Sequence, residues 1–304
     1  MVKDNTKAMI SACFAILSWS TVATAFKIAL REMTHYELLL VAGATSAVIF
    51  AILMTVQRKW QMLMNMSYRR WIYYALLGLL NPVAYYLILF KSYSLLPAQI
   101  AQPINYMWPI FLTVMLALFA HRPIPGLKYI GLAISLAGVT CISLGSSGGG
   151  KLEFSVAGLL LAALSAVGWA SYWIIRDKDK GDSTIALFLC FLFGTVYLFA
   201  AIPFTGAHTF SQAGILSGVY VGCFEMGLPF IAFGYAISKT TNTALINQMC
   251  YLSPFLSLFI IAIVLGEHIV VTTMIGLVLI VAGIVFNEYG VKLFSRQKAS
   301  GITR

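Results

Sequence analysis

The sequence is poor in charge. Asp, Glu, Lys and Arg make up 10% of its 304 residues, where a soluble domain carries about 25%. It also lacks any polar stretch long enough for a separate soluble domain. Such a chain cannot cover itself with polar surface. With 60% apolar residues, it reads as an all-α polytopic membrane protein, because runs of about 20 apolar residues cross a bilayer as helices. Cysteine is sparse and unpatterned: Cys13, Cys141, Cys190, Cys223 and Cys250 all lie in apolar segments. That spacing suits neither a disulfide framework nor a thiolate metal site. The histidines, His35, His121, His208 and His268, all fall in connections. No nucleophile–base or metal-ligand arrangement is present, so no enzyme activity, cofactor or metal is expected.

The basic excess, 20 Lys and Arg against ten Asp and Glu, would suit a nucleic-acid partner if it were clustered. It sits instead in the short connections, as in cytoplasmic loops that face anionic lipid. The expected partner is therefore the bilayer and not nucleic acid. The first apolar run, Ala8 to Phe26, is long enough to span and lacks a small-residue cleavage site, so it reads as a span rather than a cleaved signal.

What the sequence does have is a repeat. Residues 101–139 align without a gap on 246–284, matching at nine of 39 positions. The matches include Tyr106/Tyr251, Pro109/Pro254, Gly131/Gly276 and Gly138/Gly283. Shared apolar composition produces scattered identities, but not prolines and glycines coinciding in one register. Ten spans can be placed, at roughly 8–30, 35–56, 70–92, 98–120, 126–144, 154–175, 183–204, 213–237, 243–265 and 270–290, from the length a bilayer requires. They form two five-helix repeats, 1–145 and 154–292, joined by an external linker at 146–153 and followed by a tail at 293–304.

Sixteen Lys and Arg fall on the side of the N-terminus, and three, Arg31, Lys91 and Lys151, on the other. This predicts cytoplasmic termini. Five spans per half is an odd number, so the second repeat is inserted upside down relative to the first. Inverted repeats expose one central site to each side in turn. The Gly/Ser-rich linker approximates two enzyme motifs and satisfies neither. Leu152 stands where a phosphate loop needs Ser or Thr, and no strand precedes either pattern.

Polar groups inside the bilayer are the candidates for function. Glu225, near the middle of the eighth span, is the one carboxylate so placed. It is either a protonated structural group, a proton-coupling site, or a partner for a cargo ammonium. Lys27 either snorkels from the first span or lines a cavity. Asn81-Pro82 lies mid-span and faces Met226-Gly227 in the repeat register, beside Glu225. In the fourth span Gln102, Asn105 and Tyr106 share a helical face with Trp108 nearby; its counterpart offers Asn247, Gln248 and Tyr251. Trp19, Tyr85, Tyr86, Trp169, Tyr172 and Tyr235 add aromatic stripes, which serve either as packing or as the wall of a cavity. Together these residues suit a small organic molecule with polar groups and a ring.

The whole pattern resembles the drug/metabolite transporter superfamily, in its ten-helix, two-repeat exporter form. The resemblance is carried by Leu17-Ser-Trp-Ser-Thr21, by Ala166-Val-Gly-Trp-Ala-Ser-Tyr172 and by the paired proline-then-Ala-Gly helices, and it covers about residues 8–290. Asn105-Tyr-Met-Trp-Pro109 is similar to the branch of bacterial aromatic amino acid exporters. The resemblance implies export of small metabolites, amino acids including aromatic ones, by alternating access; Glu225 matches no signature of the family, so protons as a coupling ion are an expectation from this sequence alone. A drug-like cation, a nucleotide sugar or a sugar phosphate is the alternative cargo on the same fold. It further implies a cavity between the halves, lined by spans 1, 3, 4, 6, 8 and 9, with spans 5 and 10 peripheral. Gly131 and Ser135 then read as close-packing residues.

Overall fold

The computed structural model describes residues 2–119, 126–145, 155–206, 210–240, 245–246 and 249–287. Among them every regular element is helical and none is a strand. Six stretches are long and apolar enough to cross a membrane: Asn5–Glu32, His35–Val56, Tyr68–Leu95, Val156–Asp177, Ser183–Phe204 and Gln212–Lys239. Shorter apolar helices occupy Gly126–Ile142, Cys250–Leu265 and Val271–Val285.

In chain order, α1 (Val2–Glu32) and α2 (His35–Val56) meet at a tight corner. A capping box closes it: Thr34 Oγ1 accepts from the Glu37 N–H, and Glu37 Oε2 accepts from the Thr34 N–H at 2.8 Å. A short connecting helix, α3 (Trp60–Met64), precedes the third span. That span is α4 (Tyr68–Gly78) and α5 (Tyr85–Leu95), joined through a π segment at Leu79–Ala84, where Pro82 removes a backbone donor. The fourth span is broken. α6 (Ala98–Asn105) stops at Tyr106, and α7 (Trp108–Phe119) restarts one residue beyond Met107. This corrects the expectation of a continuous helix. Pro103 and Pro109 each remove an N–H bond, and the chain turns between them. α8 (Gly126–Gly145) completes the first set.

The second set runs α9 (Val156–Asp177), α10 (Ser183–Ala201), α11 (Gln212–Val221), a π segment at Gly222–Gly227, α12 (Leu228–Lys239), α13 (Ser253–Leu265) and α14 (Val271–Val285). A single 3₁₀ turn at Cys250–Leu252 leads into α13. In the ninth span, expected over 243–265, Leu245, Ile246 and Met249 are helical and a regular helix runs from Ser253 to Leu265. Asn247 and Gln248 lie outside the described residues, as do the 146–153 linker and the 293–304 tail.

The connections fall into two layers. In one, Asn5 meets Thr240 and Lys59 meets Asp182 at 2.7 Å. In the same layer Asp179 accepts from Arg176 at 2.7 Å and from the Tyr74 hydroxyl at 2.9 Å. Asp182 also caps α10, accepting from Thr184 and Ile185 N–H. Burial works to raise its carboxyl, yet the Lys59 bond and the two N–H donors outweigh that and leave it below the ordinary carboxylate value. In the other layer Glu32 meets Ser211, the Ala98 N–H reaches Glu267, and Gln99 donates to the His268 carbonyl. Each of these contacts except Arg176–Asp179 and the Asp182 cap joins chain segments from opposite halves.

Packing repeats in the 145-residue register. α1 packs on α12 as α9 packs on α5, and α2 packs on α10, its own counterpart. α8 and α14 cross in antiparallel order, with Gly131 against Gly283 and Gly138 against Gly276. At the centre of that crossing Ser135 Oγ donates to the Ile280 carbonyl at 3.1 Å. Ser135 and Ile280 are themselves equivalent positions. A Cβ on Gly138 would lie 2.6 Å from the Gly276 carbonyl, so the backbones touch because both positions are glycine.

Gly138→Ala should therefore destabilise the protein by about 1–3 kcal/mol through overpacking. At Gly234 a Cβ meets nothing within 4 Å. Gly234→Ala should leave stability unchanged or raise it by up to ~1 kcal/mol through helix propensity. Thermal unfolding in detergent compares the two; equal midpoints would mean that the α8–α14 contact is loose.

Candidate functional site

The eighth span is broken at Glu225 by its own sequence. Pro229 lacks the N–H that would donate to the Glu225 carbonyl in an α-helix, and Gly227 leaves helical geometry at φ −104°, ψ −89°. The freed carbonyl accepts from Trp19 Nε1 in α1 at 3.2 Å. The carboxylate of the same residue accepts from Tyr86 Oη in α5 at 3.1 Å. Glu225 is half-buried. Two donors from the first half of the chain thus hold the one acid in the middle of the second.

Rings surround this point. Trp169 lies 4.8 Å from Tyr85 and stacks on Tyr172 at 5.6 Å. It meets Phe230 edge-on at 6.1 Å, and Phe230 in turn meets Trp19 at 6.0 Å. Tyr85 and Tyr86 contact each other at 4.5 Å, and Trp108 stacks on Trp173 at 6.2 Å with Trp173 edge-on to Trp169. The series Trp108–Trp173–Trp169–Phe230–Trp19 is continuous from the fourth span to the first. Trp173, Phe230 and Phe233, which lies 5.4 Å from Trp19, were missed by sequence reasoning. The available signal was the four-residue spacing of Trp173 from Trp169.

The fourth-span residues separate. Asn105 and Tyr106 were expected on one face; the break after Asn105 turns them to different neighbours. Asn105 donates to Ser165 Oγ at 2.9 Å and lies 3.5 Å from the Tyr85 hydroxyl, toward spans 3 and 6. Tyr106 Oη meets Ser253 Oγ at 3.1 Å, toward span 9, and Ser20 Oγ in α1 lies 3.3 Å from the same Ser253 oxygen. Gln102 and Asn81 are buried, each with its carboxamide oxygen unpaired. Tyr251 is half-buried against the core. Tyr235 stands apart, on the rim of an open cavity of about 420 Å³ between α1 and α12, lined by Ser11, Phe14, Leu228, Ile231 and Ala232.

Lys27 neither snorkels outward nor stands free. Its Nζ donates to the carbonyls of Tyr93 and Leu96, both at 3.0 Å. Pro97 supplies no N–H to Tyr93, so the lysine occupies a carbonyl that proline has freed, at the negative end of α5. Among the described residues no group of His, Cys, Asp and Glu could hold a metal ion.

Comparison with known proteins agrees with this architecture. The chain is 25% identical over 294 residues to the uncharacterized transporter YdfC of Bacillus subtilis, covering 94% of this chain and 92% of that one. It is 23% identical over 215 residues to a probable terminal-alkyne amino-acid exporter of Streptantibioticus cattleyicolor, covering 69% and 70%. A solved crystal structure superposes with a TM-score of 0.65 over 94% of this chain and 97% of the other, at 19% identity, a likeness of fold. The EamA-like transporter family matches residues 6–144 and again 156–289. The chain is therefore a member of the EamA-like transporter family, within the drug/metabolite transporter superfamily.

Proposed function

We propose that this transporter exports small metabolites from the cytoplasm, amino acids including aromatic ones foremost, by alternating access around Glu225. The observation that carries the reading is the position of that acid. It is held between the halves by Trp19 and Tyr86 and faces a continuous group of rings. An acid beside aromatic faces suits a cargo with an ammonium group and an apolar or aromatic body. The name of the Streptantibioticus relative, a probable amino-acid exporter, supports the same class.

The contact between equivalent residues Ser135 and Ile280, and the exchange of packing partners in the 145-residue register, support an inverted repeat with halves near 1–145 and 154–292. A two-fold axis through an antiparallel helix crossing lies in the membrane plane, so the halves point in opposite directions. The layer holding Lys59, Arg70, Arg176 and Lys239 is far richer in basic residues than the layer holding Arg31 and Lys91. That supports cytoplasmic termini in an inner membrane. A nucleotide sugar or sugar phosphate fits less well, because a phosphate favours several buried cations and Lys27 is the one candidate among the described residues.

Topology is tested by a single cysteine at Ser147 in a cysteine-free background. An impermeant thiol reagent should reach it from outside; labelling only from the cytoplasmic side would overturn the inverted arrangement.

Two substitutions test the site. Glu225→Gln keeps the shape and removes the charge, so proton-driven transport in proteoliposomes should be lost while the fold survives. If Glu225 is the proton site, exchange at equal pH on both sides continues; if it binds a cargo ammonium, exchange stops too. Tyr86→Phe removes one charge-assisted hydrogen bond and should slow transport by about tenfold. Unaltered transport and pH profile in Glu225→Gln would make the residue structural.

A further inference from the structure

Beyond Glu225, the bundle contains a second polar constellation. α1, α6 and α13 pack against one another and are tied at one level by the hydroxyls of Ser20, Tyr106 and Ser253. One turn along, each helix carries another polar side chain four residues from that knot: Thr24, Gln102 and Ser257. All three lie on the same side of it. α1 begins beside Thr240 and α13 ends at the Glu267–His268 connection, so both run toward the layer that holds Ala98, where α6 begins.

The three side chains are 4%, 2% and 0% exposed. Thr24 Oγ1, Gln102 Oε1 and Ser257 Oγ have no hydrogen-bond partner. An unpaired polar atom in a membrane interior is costly, and three on adjoining helices at one depth mark a place prepared for a ligand.

The local charge selects its type. Lys27 follows Thr24 by three residues on the same helical face. Its ammonium gives two protons to the Tyr93 and Leu96 carbonyls and keeps a third. A cation at this level would meet that charge repulsively. The acid of the same region, Glu267, lies at the start of α6, one turn beyond Gln102, with Oε1 3.4 Å from the Ala98 N–H and Oε2 buried without a partner. Two hydroxyls can donate, and the Gln102 carboxamide can present its NH₂ by exchanging its ends. Hydroxyl, hydroxyl, amide and ammonium donors make a carboxylate site.

We propose that Thr24, Gln102 and Ser257, beneath Lys27, form a subsite for the carboxylate of the transported molecule. This rests on the transport reading above and narrows it: the cargo is an acid, and its decarboxylated amine is a poor substitute.

The full-length protein in detergent is screened by thermal shift against aromatic amino acids and their decarboxylated amines, tryptophan against tryptamine among them. The wild type should prefer the acid. Thr24→Val with Ser257→Ala should cut that preference by about tenfold or more, the scale of lost charge-assisted bonds. The empty variant should melt no lower than the wild type, because it loses only unpaired polar atoms. An unchanged preference, with or without a lower midpoint, assigns the hydroxyls to structure and overturns the subsite. Binding of amines without acids overturns it as well. Binding of neither class to the wild type removes the transport reading for this cargo, and the subsite with it.

Discussion

Every backbone carbonyl inside a bilayer needs a donor, because hydrocarbon supplies none. The rest of this structure depends on how the chain meets that requirement after breaking its own helices. Two of its prolines show the solution most clearly. Pro97 frees the carbonyl of Tyr93, and Lys27 takes it; Pro229 frees the carbonyl of Glu225, and Trp19 takes it. Both donors belong to α1. The first helix therefore closes hydrogen bonds that the third and eighth spans left open, one in each half. A substitution at Trp19 would expose a carbonyl as well as remove a ring, so its effect on packing and on the site cannot be separated by truncation alone.

The second constraint is close approach. Where α10 passes the third span, Gly194 faces Pro82, and a Cβ on Gly194 would stand 2.7 Å from the proline ring. Where α2 passes the eighth span, Gly227 faces Ile49 at the same 2.7 Å. In the 145-residue register Ile49 corresponds to Gly194, and Pro82 to Gly227. The same crossing is thus built twice, with glycine on one helix in the first case and on the other helix in the second. The geometry recurs while the residues exchange roles, because one small partner per crossing is enough to let backbones approach.

Much of this was legible in the sequence. Apolar length located the spans, and coinciding prolines and glycines gave the register that the packing follows. Burial cost singled out Glu225. What was not legible depends on partners distant in sequence. Pro97 announces a freed carbonyl at Tyr93, but nothing local says that Lys27 will reach it. Asn105 and Tyr106 fit one helical stripe by spacing. The turn between Pro103 and Pro109 sends one toward Ser165 and the other toward Ser253. Thr24 and Ser257 resemble ordinary small residues of a membrane helix, which usually bond back to their own backbone, as Thr45 and Ser46 do. Only their lack of a partner distinguishes them.

The scaffold is nearly symmetric and the chemistry is not. In the repeat register Glu225 corresponds to Leu80, Trp19 to Leu164, Tyr86 to Ile231 and Lys27 to Tyr172. The packing of helices survives the exchange of halves, whereas the charged groups at the centre, Glu225 and Lys27, have no charged counterpart. This division follows from the energetics of the bilayer. Small residues at helix crossings cost little and can be duplicated, but a second buried acid opposite Glu225 would repel it across a low-dielectric interior. In the alternating-access reading proposed above, a single acid set between matched halves presents the same charge to either side, and one protonation event acts on both states. The aromatic series from Trp108 to Trp19 has no such penalty and extends across the interface, because stacked rings add contact without adding charge.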